Sequence, residues 1–380
     1  EIQNIVSRTY SLGAQAFEEE QDFILTMTSG STNTPKPIVF TQGTKIRRCF
    51  NAKEVYGLTE KDVILVATPL YHSISQRLVL APLMLGGTSV IMRKFTPGNW
   101  LSQVSGNKVT FTIAVASQLE ALLGPAKNTD HDISSLRCVV SCCALISDAA
   151  KKRLINELKC DFHECYGTSE VGVISNLSSV DPFEKVHTVG RAVPNVDIKI
   201  VDSKRNIIGL NTVGEIICSS AMRFSRYYKN QEATRESVVD GYFYTGDMGF
   251  LDKDGYLVFS GRLKEVIITG GTNVYPKDVE AVLNEHPKVK ECAVIGIADQ
   301  QFGEAVLALI ISEMGAKLTE RDLQSYCLHR LADVQKPLAY IFVDDFPRTP
   351  LGKTLKYKLA AQYSDYDLTA DLRRIMNRTS

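Results

Sequence analysis

The chain lacks net charge: its 380 residues carry 43 basic and 43 acidic side chains. That balance excludes a polybasic nucleic-acid arm, and a hydrophobic content of 44% excludes a disordered or collagen-like chain. No apolar run approaches the roughly 18 residues of a membrane-spanning helix. The stretch Glu1 to Tyr10 has no basic segment followed by an apolar one, so no export signal is read there. The nine cysteines (Cys49, Cys138, Cys142, Cys143, Cys160, Cys165, Cys218, Cys292 and Cys327) lack the dense spacing of a secreted disulfide scaffold. These absences predict a soluble, cytoplasmic protein that binds neither membrane nor nucleic acid. At roughly 100 to 200 residues per domain, the length predicts two or three domains with cores of their own.

What is present is alternation. Phe23 to Met27, Val63 to Thr68, Thr88 to Met92, Thr110 to Val115, Arg137 to Ser141 and Asp161 to Cys165 read as strands. Between them Lys45 to Tyr56, Ser75 to Leu85, Ser117 to Leu123 and Asp148 to Leu158 read as helices. This pattern predicts an α/β unit with a mostly parallel sheet and ligands at the carboxyl ends of its strands. From Val196 to Arg262 alternating strands and turn signals take over, which predicts a separate, smaller β unit. Beyond Gly261, helices at Pro276 to Asn284 and Glu320 to Arg330 join strands at Glu291 to Ile297, Ala305 to Ile311 and Tyr340 to Val343 in a compact α+β domain. The polar tail after Tyr363 is expected to be a loosely attached helix.

Four stretches carry chemistry. Thr28-Ser29-Gly30-Ser31-Thr32-Asn33-Thr34-Pro35-Lys36 follows a strand, and its small hydroxylated residues, glycine and terminal lysine suit a phosphate cradle. It is not a Walker A loop, because the glycine before the lysine is absent; the alternative is an ordinary polar surface loop. Tyr166-Gly167-Thr168-Ser169-Glu170 sets an aromatic face, hydroxyls and a carboxylate at a strand end. The ring suits a base and Glu170 suits Mg²⁺, against the alternative of a turn with a solvated Glu. Tyr244-Thr245-Gly246-Asp247, followed by Gly261-Arg262-Leu263-Lys264, offers a carboxylate for a ribose diol and a planar cation beside it, or else a hairpin with a surface ion pair. Pro347-Arg348-Thr349-Pro350-Leu351-Gly352-Lys353 holds a lysine on a glycine-hinged arm, suited to charge developing on a phosphoryl group; exposed loop lysines are otherwise simply solvated.

In this order and at these separations, the four stretches resemble the adenylate-forming superfamily of acyl- and aryl-CoA synthetases, firefly luciferases and nonribosomal peptide adenylation domains, from about residue 23 to about residue 360. The resemblance implies an AMP-forming acid-thiol ligase. A carboxylate attacks the α-phosphate of ATP to give an acyl-adenylate and pyrophosphate, and a thiol then displaces AMP. It implies a large domain over residues 1–261, lacking the family's usual N-terminal region, and a mobile α+β lid over residues 262–380 that rotates between the steps. Carried over by resemblance, Thr28, Ser29, Gly30, Ser31, Thr32 and Lys36 serve the pyrophosphate side, and Tyr166 and Gly167 border the adenine. Ser169 contacts the α-phosphate, Glu170 holds Mg²⁺, Asp247 the ribose hydroxyls, and Arg262 assists it. Lys264 is the hinge, Lys353 the lysine of the adenylating step, and Gly270 and Gly271 line the thiol tunnel, where glycine lets a thiol arm pass close to backbone.

The departures from the family are informative. Asn33 stands where a second loop glycine is usual, a mild exchange because Asn tolerates left-handed backbone. Ser141-Cys142-Cys143-Ala144-Leu145 replaces a Gly-rich turn, so Cys142, Cys143 and Ala144 are expected to reshape or shorten the acid pocket. Tyr71 and His72 resemble the aromatic-His pair that closes on the acid's carboxylate, and no carboxylate lies nearby to pair an ammonium, which disfavours an amino acid. No lysine adjoins Gly270, so the acceptor stays open between CoA and the phosphopantetheine of an acyl carrier protein. The short region before residue 28 suggests a fragment, or a form completed by self-association or by a partner chain. A catalytically silent nucleotide-binding relative is the rival class. Cys160, His163 and Cys165 suggest zinc, but alternation on a strand makes core packing the better reading.

Overall fold

Runs such as Val63–Val66, Phe111–Val115 and Cys138–Cys142 are rich in β-branched and apolar residues, and in the computed structural model they form the interior of a seven-stranded sheet. The structure describes residues 17–27, 36–144, 146–349 and 352–366; the loop candidates Thr28, Ser29, Gly30, Ser31 and Thr32, and the expected tail helix beyond 366, lie outside them. The sheet order is Thr88–Ile91, Val63–Val66, Phe111–Val115, Cys138–Cys142, Asp161–Thr168, Gly172–Ser178 and Arg191–Ala192. The first five strands are parallel, and the last two join antiparallel.

Successive residues of each strand alternate between two cores. Leu65, Ala114 and Val139 face Trp100, Leu119 and Leu154. Ile64, Ile113 and Val140 face Cys49, Tyr56 and Leu78 on the other side. Helix Gln42–Tyr56, capped by the Thr41 hydroxyl and ended by left-handed Gly57, covers this second face with helix Ser73–Leu85.

The strand from Asp161, expected to stop at Cys165, runs on to Thr168 and folds back as Gly172–Ser178. A Cβ at Gly167 would stand 1.9 Å from the Gly172 carbonyl oxygen, so only glycine allows this close return. Tyr166 and Gly167 therefore sit in a hairpin with Glu170 at its tip. The region from Val196 to Arg262 forms a five-stranded sheet, but not a separate unit: Ile198, Ile216 and Phe243 share one core with Ile38, Phe40, Tyr166 and Ile174. A short sheet of Asp22–Met27, Pro37–Thr41 and Arg226–Tyr227 completes this part, with Phe23, Leu25 and Met27 exposed along one side of its outer strand.

The C-terminal part pairs Thr272–Val274, Ile267–Thr269, Gly303–Ser312 and Val289–Asp299, with Ala339–Phe342 parallel to Gly303–Ser312. Helices Pro276–Asn284 and Glu320–Cys327 pack on it; the second is shorter than expected, tightening where the Arg330 amide donates to the Cys327 carbonyl at 3.1 Å. Among the described residues no helix is long and apolar enough to cross a membrane.

Candidate active site

Asp247 lies on strand Tyr242–Leu251, directly across from Arg262 on strand Leu257–Arg262. Its side chain is buried; the Tyr166 hydroxyl donates to Oδ2 at 2.8 Å, and Arg262 Nε lies 2.8 Å from Oδ1. The Arg262 approach is too oblique for a hydrogen bond, so Oδ1 remains a buried acceptor without a hydrogen-bond partner among the described residues. Burial pushes the Asp247 carboxyl above its ordinary value, against the pull of Arg262, the Tyr166 hydrogen bond and Lys353. A fixed carboxylate with one open acceptor, at the edge of an aromatic ring, is what two vicinal hydroxyls require.

The hairpin tip is braced from behind. Arg48 donates from Nη2 to the carbonyls of Ser169 and Glu170 at 3.1 and 2.7 Å, and from Nε to the Met222 carbonyl at 2.9 Å. The Glu170 side chain accepts from the Tyr227 hydroxyl at 2.9 Å, and the Lys36 ammonium lies 5.1 Å from the centre of the Tyr227 ring. Glu170 has no ion pair among the described residues, which leaves its second oxygen for a hard cation. Among these residues no cluster of three or more metal-ligating side chains exists. The arrangement suits Mg²⁺, which is held by one or two carboxylates together with phosphate oxygens.

Lys353 comes from the C-terminal part. Its loop is closed by hydrogen bonds from the Thr349 amide to the Lys353 carbonyl (2.8 Å) and from the Lys353 amide to Thr349 Oγ1 (3.1 Å), and Arg348 ties it to Glu291. Lys353 keeps solvent contact, yet crowding protein atoms and then Arg262 lower the affinity of its ammonium for the proton, opposed by Glu265 and Asp247. Asp247, Arg262, Tyr166 and Lys353 are thus brought together. Lys264 is exposed in the turn Leu263–Glu265 that follows, and Gly270 and Gly271, both with positive φ, form the tip of a hairpin.

A cavity of about 120 Å³ opens beside the hairpin, lined by His72, Arg77, Cys142, Cys143, Thr168 and Ser169 among others. Tyr71, 60% exposed, and exposed Ala144 are not part of its lining. His72 Nε2 is buried without a partner among the described residues, and the Cys142 thiol donates to Cys143 Sγ at 3.7 Å. Arg77, Lys45 and Arg48 are not among the candidates that the sequence pointed to. A second, smaller cavity shares Arg77 and Ser73 with the first and adds Lys45 and Arg48. Burial, then Arg48 and Arg77, pull Lys45 down to about 6, and burial with Arg77 pulls Arg48 to about 9. The available signal was Gln76-Arg77 in helix Ser73–Leu85, whose remaining residues beyond Ser73 and Ser75 are apolar.

Comparison with known proteins gives the family. A family model of AMP-binding enzymes matches residues 10–228, and one of the AMP-binding enzyme C-terminal domain matches residues 278–353. Feruloyl-CoA synthase from Amycolatopsis sp is 33% identical over 344 residues, 90% of this chain and 70% of that protein. Indoleacetate–CoA ligase from Aromatoleum aromaticum is 30% identical over 88% of this chain and 66% of its own length. The chain spans as little as 63% of the length of the curated relatives it matches. Among solved structures, O-succinylbenzoate coenzyme A synthetase from Bacillus subtilis in complex with AMP superposes with a TM-score of 0.85 at 26% identity, covering 94% of this chain and 73% of that one.

Proposed function

Because the chain belongs to the family of AMP-binding enzymes, we propose that it activates a carboxylic acid with ATP and passes the acyl group to a thiol, CoA being the acceptor favoured here. The observation that carries this reading is the buried Asp247 with its open Oδ1, framed by Tyr166 and Arg262 and approached by Lys353. Asp247 would take the ribose hydroxyls and Tyr166 would border the base. The α-phosphate would then lie between Ser169 and Lys353, beside the acid cavity.

In the first step a carboxylate oxygen forms a bond to the α-phosphorus, and the bond to the pyrophosphate oxygen breaks. Lys353 and Arg262 offset the negative charge that gathers there. Mg²⁺ held by Glu170 would supply further charge neutralisation on the phosphates. In the second step the thiol sulfur attacks the acyl carbon, loses its proton and expels AMP. The proposed division places the body at residues 1–261 and the swinging lid at residues 262–380. Lys264 is then the pivot, and Gly270 and Gly271 would border the thiol after rotation.

The test is acid-dependent ATP–pyrophosphate exchange, followed by thioester formation with CoA and with a holo-carrier protein. Lys353→Ala is expected to slow exchange by about 100- to 1,000-fold while leaving AMP binding in place. Tight ATP binding with no exchange for any acid would leave only a silent nucleotide binder, and transfer to the holo-carrier alone would replace CoA as acceptor.

A further inference from the structure

Among the described residues the half-buried Arg77 side chain has no ion pair, and its buried Nε has no hydrogen-bond partner. A guanidinium offers planar N–H donors and no acceptor, so this site suits an anionic acceptor. The other cations of the cluster do have partners. Arg48 is spent on the hairpin carbonyls, and Lys45 donates to Gln76 Oε1 at 2.7 Å and rests 4.1 Å from the Phe40 ring centre. Arg77 instead lines both cavities, the acid cavity included.

The same cavity is lined by Thr168 and Ser169, next to the proposed nucleotide. Ile113, Val173 and the two thiols supply apolar lining. Its volume of about 120 Å³ is somewhat under the ~150 Å³ that accommodates a benzene molecule, so the occupant is short, roughly three to five carbons long.

We propose that the acid this protein activates is a short dicarboxylate, one carboxylate presented to the nucleotide at Thr168 and Ser169 and the other bound by Arg77. The inference rests on the ligase reading above and narrows its substrate. A guanidinium meets a carboxylate through two parallel hydrogen bonds, which orients the diacid as well as holding it. Lys45 lines the second cavity with Arg77, and the arriving negative charge favours its protonated form.

The experiment compares malonate, succinate and glutarate with acetate, propionate and butyrate in ATP–pyrophosphate exchange, for the chain as it stands and for Arg77→Leu and Arg77→Lys. AMP binding by calorimetry checks that each variant is folded. Expected is a diacid preference of about 100-fold in kcat/KM, lost in Arg77→Leu through slower diacid and faster monoacid turnover, and recovered in part by Arg77→Lys. The ratio is internal to each preparation, so partial misfolding does not imitate it. Exchange confined to monoacids, or a ratio unmoved by Arg77→Leu, overturns the inference alone. Exchange with no acid in a protein that binds AMP overturns the ligase reading and this inference together.

Discussion

Cys143 carries a side chain on backbone that favours glycine: its φ is 71°, in the left-handed region. The same thiol takes up space in the cavity beside Cys142. One substitution therefore has two separable consequences. Cys143→Gly is expected to stabilise the fold by about 1 kcal/mol in chemical denaturation, because the strain is relieved. It is also expected to admit acids one or two carbons longer in the exchange assay. A gain in stability with an unchanged acid profile would show that the thiol does not bound the pocket. At this scale the sequence was readable where chemistry is local: Tyr166, Glu170, Asp247 and Arg262 lie in short runs whose residue types already suggest a nucleotide. Lys45, Arg48 and Arg77 escaped because a cation on a helix ordinarily reads as a solvated face, and only the packing of helix Gln42–Tyr56 on Ser73–Leu85 hides these.

Secondary-structure elements are held in register by a clasp far from the nucleotide. Asp62 accepts from the Thr59 amide at 2.7 Å, from Thr110 Oγ1 at 2.7 Å, and from Arg137 Nε and Nη2 at 2.8 and 2.9 Å. Arg137 in turn donates to the carbonyls of Tyr56 and Gly57, so the clasp joins a helix end to the starts of three neighbouring strands. Burial raises the Asp62 carboxyl, but the hydrogen bonds from Arg137, Thr110 and Thr59 outweigh it and hold it below the usual range. A depressed carboxylate contributes its stability above its unfolded pKa of about 4 and loses it as pH falls through the lower folded value. Asp62→Ala is expected to cost about 3 kcal/mol or more at pH 7, and to flatten the loss of stability below about pH 4 in acid titrations followed by circular dichroism. Equal acid limbs in both proteins would contradict this. Apolar runs made the central strands legible. Strand Pro37–Thr41 was not, since its burial depends on pairing with Arg226–Tyr227 far along the chain. Helix Pro97–Asn107 has a Thr96 cap and a proline in its first turn, but Gly98 and Gly106 shorten its apolar period to Trp100, Leu101 and Val104.

For the whole molecule, the decisive geometry is where the C-terminal part rests. Beyond the hinge strand, its contacts with the body among the described residues include Lys277 donating to the Phe259 carbonyl and Gly352 lying against Ser117, which brings Lys353 toward Asp247 and Arg262. Under the proposed function this arrangement would serve adenylation, and the proposed second step would require it to open. A Cβ built on Gly352 stands 3.6 Å from Ser117 Cβ, within the spacing of roughly 3.5 to 4.5 Å that a disulfide needs. Ser117→Cys combined with Gly352→Cys should therefore lock the lid when oxidised. The φ of 81° at Gly352 makes the cysteine there cost about 1 to 2 kcal/mol, which the closed bond offsets. The oxidised double variant is expected to retain ATP–pyrophosphate exchange but to form no thioester with CoA, and reduction is expected to restore the second step. Each single variant, treated with the same oxidant, should keep both steps, which separates the lock from damage to the native thiols. Full thioester formation by a chain shown by mass spectrometry to be cross-linked would mean that one resting position serves both reactions and that no swing about Lys264 is needed.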